Sequence, residues 1–256
     1  MEARSREILY NEGVAPGYFR LGLRWKGAGI RPGHFVMVRV SDGLDPLLRR
    51  PLGVYRVGHG TVELLYAVVG KGTEILSKKM PGESVDLLGP LGNGFTLPAK
   101  GHRAVLVAGG MGIVPLYMLA KKVKKSVLLF GARSAKEASV ADDFKGLGIN
   151  IKIATNDGSV GKKGLVTDLL QDEIRPGDII YACGPVGMLK KIATIAAHAG
   201  VSCQVSLERS MACGIGVCLG CAVKASSHKE ASNRNYRMVC SEGPVFDSED
   251  IDWERL

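Results

Sequence analysis

The segment MACGIGVCLGCAV, residues 211–223, is the feature that most constrains how this 256-residue chain can fold. Cys213 and Cys218 have four residues between them, Cys218 and Cys221 have two, and Cys240 follows after a further eighteen. Glycines fill much of the space between the first three cysteines. Thiols this close, with so little side-chain bulk between them, require a reason, and the candidates are disulfides or a metal.

The location that we expect for the chain favours metal over disulfides. The amino-terminal segment MEARSREILYNEG is charged and has no apolar signal core, and no run of about 18 apolar residues predicts a membrane span. We therefore expect a cytoplasmic protein that does not enter a membrane. Cytoplasmic thiols stay reduced, so disulfides explain the six cysteines poorly.

The spacing of the cysteines predicts the kind of metal site. A C-x4-C-x2-C pattern with one distant cysteine is typical of a plant-type [2Fe–2S] cluster, so Cys213, Cys218, Cys221 and Cys240 are the predicted ligands. The intervening glycines let a loop bend sharply and point amide N–H groups at sulfur. Structural zinc is the alternative, although zinc sites usually show two short paired spacings rather than three cysteines plus one.

The first hundred residues predict a small β-barrel. Glycine, proline and aspartate separate runs that are rich in β-branched residues, as expected for short strands joined by turns. The predicted strands are HFVMVRV (34–40), GVYRV (53–57), TVELLYAVV (61–69) and ESVDLLG (83–89). We place this domain at residues 1–98, and LPAKGH (97–102) is the predicted linker to the next domain.

From residue 103 the pattern changes to alternating strands and helices. This alternation, from RAVLVAGG to VSCQVSLE, predicts a parallel sheet with helices on both faces. The predicted fold class is therefore α/β plus all-β: a barrel, a parallel-sheet domain at 99–206, and a small cluster module at 207–256.

Two glycine-rich loops lie at the carboxyl ends of predicted parallel strands, where such sheets bind ligands. AGGMGIVP (108–115) and CGPVGM (183–188) each open a helix, and their backbone N–H groups suit a pyrophosphate. Neither matches G-x-G-x-x-G, so tight turns without a ligand remain an alternative. Cys183 is either beside a nicotinamide or simply buried, and Asp157 either meets a ribose hydroxyl or forms a turn. The candidate residues are Gly109, Gly110, Gly112, Cys183, Gly184 and Pro185.

The barrel carries a second candidate phosphate site. LLRRPLGVY (47–55) places two arginines before a proline in a predicted strand, and arginine binds phosphate through two parallel hydrogen bonds. GKGT (70–73) supplies flexible backbone and a hydroxyl. A surface arginine pair next to an ordinary turn is the competing interpretation.

In their order along the chain, these motifs resemble the ferredoxin-reductase superfamily, in which an FAD-binding barrel precedes an NAD-binding sheet. The resemblance implies FAD contacts at one group of barrel residues: Arg50, Pro51, Leu52, Gly53, Leu65, Tyr66, Ala67, Gly72 and Thr73. Gly53 departs from the family, which usually has serine there, so a hydroxyl bond to the flavin is lost or replaced by backbone.

LLRRPLGVY, LERSMACGIGVCLGCAVK and VCSEGPVF further resemble the electron-transfer subunits of the NAD-dependent dihydroorotate dehydrogenases of pyrimidine (UMP) biosynthesis. The resemblance implies a partner subunit that carries FMN, in a heterotetramer with two copies of each subunit. Nicotinamide moves two electrons at once and an iron–sulfur cluster moves one, whereas a flavin does both. The implied route joins FMN, the cluster, FAD and NAD.

Two other functions compete with this one. One is a subunit of another NAD(P)H-dependent flavin and iron–sulfur oxidoreductase, linked to ferredoxin or sulfide. The other is a zinc-containing binding protein without flavin. The net charge of +9 admits nucleic acid in principle, but no arginine–aromatic cluster supports it, and we expect no nucleic-acid partner.

Overall fold

The computed structural model describes residues 2–99, 101–226 and 235–256. Its amino-terminal part is a closed barrel of six antiparallel strands in the order β1-β2-β5-β4-β3-β6. These strands are β1 (Glu2–Ala15), β2 (Tyr18–Arg24), β3 (Phe35–Arg39), β4 (Arg50–Gly58), β5 (Thr61–Ala67) and β6 (Ser84–Leu91). The predicted barrel is confirmed, and the two strands that complete it, β1 and β2, were not among the predicted runs.

A short helix, α1 (Lys71–Ser77), crosses from β5 towards β6. The expectation that GKGT forms flexible backbone is therefore wrong, because its last three residues make the first turn of this helix. Thr73 explains the helix start. Its Oγ1 accepts from the Val69 and Gly70 N–H groups at 2.9 and 3.3 Å and donates to the Gly70 carbonyl at 3.0 Å, closing a local turn.

The second part is a seven-stranded sheet in the order β10-β9-β8-β7-β11-β12-β15, parallel except for its last strand. The predicted alternation of strands and helices is confirmed. The strands are β7 (Ala104–Gly109), β8 (Ser126–Ala132), β9 (Asn150–Thr155), β10 (Lys162–Lys163), β11 (Ile179–Cys183), β12 (Ser202–Ser206) and β15 (Val245–Asp247). The helices are α2 (Val114–Lys122), α3 (Ala135–Ala138), α4 (Val166–Glu173) and α5 (Val186–Ala199).

Helices cover both faces of the sheet because the strands are apolar on both sides. Leu106 and Phe130 pack on one face with α2 and the 3₁₀ segment Ser139–Leu147. Val105 and Ile180 pack on the other face with α4 and α5. Strands buried on both faces read as continuous apolar runs, which is why AVLVAG and SVLLFGA were recognisable in the sequence.

The carboxyl-terminal segment is built into the other two parts. Its hairpin pairs β13 (Ala222–Lys224) with β14 (Tyr236–Met238), and β15 adds an antiparallel edge to β12. Cys221 and Cys240 belong to the same buried core as Phe35 and Met37 of the barrel and Val205 of β12. The cysteine segment is therefore held against both the barrel and the sheet.

A charge cluster joins the barrel to the sheet domain. Asp143, in the 3₁₀ segment after α3, ion-pairs with Arg20 and with Arg56, the latter at 2.8 Å, and accepts the Tyr55 hydroxyl at 2.8 Å. Glu63 lies 3.6 Å from Arg20 and 3.8 Å from Arg56. Two arginines and two carboxylates balance in charge, and each side chain is less than a third exposed.

Between β6 and β7, the described residues 92–99 and 101–103 form no helix and no strand, and Lys100 of the predicted linker lies outside the described residues. In the part of the chain that the structure describes, none of the helices has the length and apolar character that crossing a bilayer demands.

Removing the Asp143 carboxylate should destabilise the junction of the two domains. We expect Asp143→Ala to lower the free energy of unfolding by about 2–3 kcal/mol, because it leaves two partly buried arginines short of a counterion. Asp142→Ala is a matched control, since the neighbouring Asp142 is more than half exposed and pairs with Lys145 at 2.7 Å. Urea unfolding would measure both, and equal losses in the two variants would contradict the cluster's role.

Candidate functional site

A first cleft of about 660 Å³ opens between the barrel and the sheet domain. Its barrel wall comes from β4, β5 and α1, and its opposite wall comes from α2 and from the segment that follows β12. The predicted FAD residues on the cleft are Arg50, Pro51, Leu52, Gly53, Leu65, Tyr66, Ala67 and Thr73. The volume lies in the range of cofactor sites, and the cleft is lined mainly by apolar groups with few charges.

The two arginines of LLRRPLGVY differ in what they contact. Arg49 donates to the Asp86 carboxylate at 2.9 Å, so its charge is already paired within the barrel. Arg50 donates instead to the Leu48 carbonyl. Its guanidinium packs on Gly72, where a Cβ atom would lie only 2.3 Å from Arg50 Nε. Gly72 thus affects the cleft indirectly, by leaving room for the Arg50 guanidinium. Of the two arginines, Arg50 is the one whose charge is not paired with a carboxylate and can bind a diphosphate.

Two other predicted FAD contacts, Thr73 and Gly53, have surroundings that the sequence did not indicate. The Thr73 hydroxyl is engaged with backbone at residues 69 and 70, so it is not free to bind a phosphate in this arrangement. A Cβ atom at Gly53 would lie 3.0 Å from Val114 Cγ1 at the start of α2. Val114 therefore occupies part of the space that the side chain of the family's usual serine would need.

A second cleft of about 610 Å³ lies at the carboxyl ends of β7, β8 and β11. Strand order reverses between β7 and β11, and open parallel sheets bind ligands at such a switch point. The predicted NAD residues on this cleft are Gly109, Gly110, Gly112, Gly184 and Pro185.

The glycines of this second cleft allow close backbone approach. A Cβ atom at Gly112 would lie 2.0 Å from the Cys183 carbonyl oxygen, and one at Gly109 would lie 2.7 Å from Met188 Sδ. The two predicted loops therefore pack directly against each other. Gly110 adopts a φ of 53°, which glycine tolerates best. Gly110 begins a 3₁₀ turn, Gly110–Ile113, of which the first three residues line the cleft, and the backbone at a helix start suits an anion.

The two clefts meet at Met111 and Glu208, which line both of them. Cys183 lines the first cleft only, and its Sγ lies 3.9 Å from Glu208 Oε1. Burial raises the pKa of the Cys183 thiol well above its usual range, and the Glu208 charge acts in the same direction. Glu208 keeps exposed surface because the clefts are open, yet desolvation by the surrounding protein raises the pKa of its carboxyl.

Several residues on the second cleft were missed by the sequence analysis. They are Tyr18, Arg133, Glu137, Asn156, Thr167 and Lys191. Tyr18 was missed because β2 was not predicted, and the others belong to no motif that points to a ligand. Asp157, considered for a ribose hydroxyl, instead accepts from the Ser159 N–H at 2.9 Å and from its hydroxyl at 2.6 Å. The turn interpretation of Asp157 therefore agrees with the structure.

The four predicted cluster ligands are joined by backbone N–H···S contacts. The Ile215 and Cys218 N–H groups lie 3.4 Å from Cys213 Sγ, and the Gly216 N–H lies 3.0 Å from Cys240 Sγ. A φ of 74° at Gly214 and 86° at Gly216 makes the loop curl around the sulfurs. A Cβ atom at Gly214 would lie 2.5 Å from Met37 Cγ of the barrel, so this glycine also permits close packing.

The thiols of the loop differ in their electrostatic surroundings. Desolvation acts to raise the pKa of the Cys213 thiol, but N–H donors from Ile215 and Cys218, with the Cys218 thiol, outweigh it and lower the pKa to about 6. Burial, followed by the neighbouring Cys221 thiol, raises the pKa of Cys240 to about 12, and Cys213 acts on Cys240 in the same direction. The four thiols therefore influence one another as a group.

The N–H···S contacts bear on the kind of metal site. N–H donors directed at sulfur are what an iron–sulfur cluster uses to tune its potential. With three close cysteines and one distant one, the residues fit a [2Fe–2S] cluster.

Arg50 and Gly72 can be tested together as one phosphate-binding feature. We expect Arg50→Ala to weaken FAD retention about 10- to 100-fold, as for the loss of a charged hydrogen bond, and Gly72→Ala to weaken it in the same direction by displacing the guanidinium. Gly70→Ala is the control, because a Cβ atom there has nothing within 4 Å. Flavin content after gel filtration is the measurement, and full flavin in Arg50→Ala would remove Arg50 from the site.

The cysteines give a second test. Cys218→Ser should reduce bound iron from about two atoms per chain to a small fraction, because a neutral hydroxyl replaces a thiolate ligand. Cys203→Ser is the matched control, since Cys203 is buried in β12, hydrogen-bonds Ser248 and is not one of the four predicted ligands. Iron and acid-labile sulfide assays report both, and unchanged iron in Cys218→Ser would exclude Cys218 as a ligand.

Comparison with known families agrees with this geometry. Residues 208–252 match the model of the iron-sulfur cluster binding domain of dihydroorotate dehydrogenase B. Residues 106–194 match the oxidoreductase NAD-binding domain. The first match covers all four predicted cluster ligands, and the second covers both loops of the second cleft.

Among solved structures, the chain resembles that of the NADH-dependent reduced ferredoxin-NADP oxidoreductase, studied for flavin-based electron bifurcation. The TM-score is 0.86 at 32% identity, over 98% of this chain and 91% of the other. A ferredoxin NADP+ reductase from Neisseria gonorrhoeae, solved with bound FAD and NADP, shares the fold with a TM-score of 0.67 at 17% identity, over 78% of this chain and 92% of that one.

Curated relatives match nearly the whole chain. The dihydroorotate dehydrogenase B (NAD(+)) electron transfer subunit of Desulforamulus reducens is 43% identical over 96% of this chain and 92% of its own length. The subunit of the same name from Caldanaerobacter subterraneus subsp. tengcongensis is 41% identical over 98% of both chains. The chain therefore belongs to the family of electron transfer subunits of NAD(+)-dependent dihydroorotate dehydrogenase B.

Proposed function

We propose that this chain passes electrons between NAD(H) and an FMN-bearing dihydroorotate dehydrogenase subunit, through FAD and a [2Fe–2S] cluster. The observation that carries the proposal is the continuity of the three sites. Met111 and Glu208 line both clefts, and Glu208 to Met211 continue the wall of the first cleft towards Cys213. Met211 and Cys213 are two residues apart, so their Cα atoms lie within about 7 Å.

The residues of the chain position and separate these groups. When bound, a flavin between a nicotinamide and an iron–sulfur cluster converts paired electrons into single ones. The Gly109–Gly112 loop offers N–H groups to the dinucleotide, Arg50 offers charge to the FAD diphosphate, and the cysteine loop supplies thiolates. At the junction of the clefts, desolvation raises the pKa values of Cys183 and Glu208, so burial there opposes the charged form of each group.

The cluster loop gives electrons an exit to the protein surface. Cys218 is exposed, and Val217 and Leu219 beside it are 75% and 62% exposed. Apolar side chains around a redox loop suit a close and dry contact with a protein partner. We assign this rim to the FMN-bearing catalytic subunit, in an assembly of two copies of each subunit.

The purified chain should show flavin absorption overlaid by broad iron–sulfur absorption, and both should bleach when NADH is added under anaerobic conditions. Combined with the catalytic subunit, it should support NAD reduction by dihydroorotate. Cys218→Ser should lower that coupled rate by more than about 100-fold while NADH still bleaches the flavin, since even an outer contact of a metal site costs 10- to 100-fold. A colourless, zinc-containing protein would contradict the proposal.

A ferredoxin-linked oxidoreductase is the second candidate, because the similarity to the bifurcating oxidoreductase structure also extends over nearly the whole chain. The partner distinguishes the two. Co-purification with an FMN subunit that oxidises dihydroorotate supports the first function. Coupling of NADH to ferredoxin, with no dihydroorotate activity, would support the second.

A further inference from the structure

Apolar side chains are exposed at one end of the first cleft. Leu48 and Val69 line that cleft, although they are 48% and 85% exposed. Leu44 and Leu47, on the same loop as Leu48, are exposed as well. Exposed apolar side chains that are grouped in this way mark a binding site, whereas single ones need no explanation. None of these residues is among the predicted FAD contacts.

An ion pair brings the loop with the leucines beside the turn that carries Val69. Asp45, on the loop, pairs with Lys71, the first residue of α1. Val69 lies two residues before Lys71 in the chain. At the end of the loop, the Leu48 carbonyl accepts a hydrogen bond from the Arg50 guanidinium. Leu48 and Val69 therefore lie on neighbouring segments around the same part of the cleft.

Arg50 indicates where this part of the cleft lies along a bound FAD. Its guanidinium packs on Gly72, and the adjacent Thr73 Oγ1 accepts from the Val69 N–H at 2.9 Å. Leu48 and Val69 are thus beside the cation assigned to the diphosphate, and neither lines the second cleft. In FAD the diphosphate lies between the flavin ring and the adenosine. With the ring at the junction of the two clefts, the adenosine extends the other way, towards Leu48 and Val69.

The adenosine end is where FAD differs from FMN. The two cofactors share the flavin ring, the ribityl chain and one phosphate, and FAD carries AMP in addition. Contacts with the ring, and part of the Arg50 charge, therefore serve both cofactors. Under the proposed function this chain holds FAD while its partner holds FMN, so the chain needs a site for the AMP part. Adenine has flat, largely apolar faces, and cofactor sites are lined mainly by apolar side chains.

We propose that Leu48 and Val69 pack against the adenine base of FAD, and that this contact makes the chain bind FAD in preference to FMN. The inference rests on the proposed function, because it assumes that the first cleft takes a flavin. Both side chains face solvent, so a base that covers them removes apolar surface from water. Burying an aliphatic side chain of this size strengthens binding by about 10- to 100-fold.

Val69→Ser and Leu48→Ser test the proposal. Neither side chain belongs to a buried core of the described residues, so neither substitution opens a cavity in the protein. The holoprotein is equilibrated with equal concentrations of FAD and FMN, free flavin is removed by gel filtration, and the retained flavins are separated and quantified. We expect each variant to lower the FAD-to-FMN ratio by about tenfold or more, with FMN binding unchanged. Val160→Ser is the control, since Val160 is an exposed valine in the loop after β9 that does not line the first cleft.

The outcomes separate this inference from the proposed function. A wild-type protein that retains no flavin would overturn the proposed function itself. A wild-type protein that retains FAD, with the same ratio in both variants, would overturn only the adenine contact. An equal loss of FAD and FMN in the variants would also overturn it, because such a loss does not arise at the adenine. Variants that keep the ratio but no longer bind the catalytic subunit would assign the two side chains to a protein partner instead.

Discussion

Docking of the barrel onto the sheet is the constraint on which both clefts depend. Each cleft has walls from both domains: Leu65 faces α2 across the first, and Tyr18 of the barrel lines the second. The charge cluster around Asp143 is one attachment, since it takes ion pairs from β2 and β4 together with the Tyr55 hydroxyl. The aromatic contact of Tyr55 with Tyr117 on α2, at 4.7 Å between ring centroids, is another.

The carboxyl-terminal segment provides the third attachment and holds the cysteine loop next to the first cleft. It adds β15 to the sheet, packs Gly214 on Met37 of the barrel, and lines the first cleft before it reaches the cysteines. A cluster module on a flexible tether would not hold its metal site at a constant distance from a flavin. Here the segment before the cysteines is part of the cleft wall, so the cysteine loop is held beside the cleft.

The cleft junction has a different electrostatic character from the cluster loop. At the junction, desolvation raises the pKa values of Cys183 and Glu208. At the loop, backbone N–H groups lower the pKa of Cys213 to about 6 even though desolvation opposes them. The loop therefore favours a thiolate, which is the form of cysteine that binds iron, whereas burial at the junction opposes charge.

Local patterns in the sequence determined much of this protein by themselves. Apolar runs predicted the parallel strands, glycines at strand ends predicted the loops, and cysteine spacing predicted the ligand set, because each signal lies within a few neighbouring residues. The tertiary structure decided what depends on distant residues meeting. It gave the two adjacent arginines different partners, since Arg49 pairs with Asp86 and Arg50 does not. It also closed the barrel with β1 and β2. It also brought Glu137, which stands in no motif, and Glu208 into the lining of one cleft. Such contacts join residues far apart in the chain, so no local pattern could specify them.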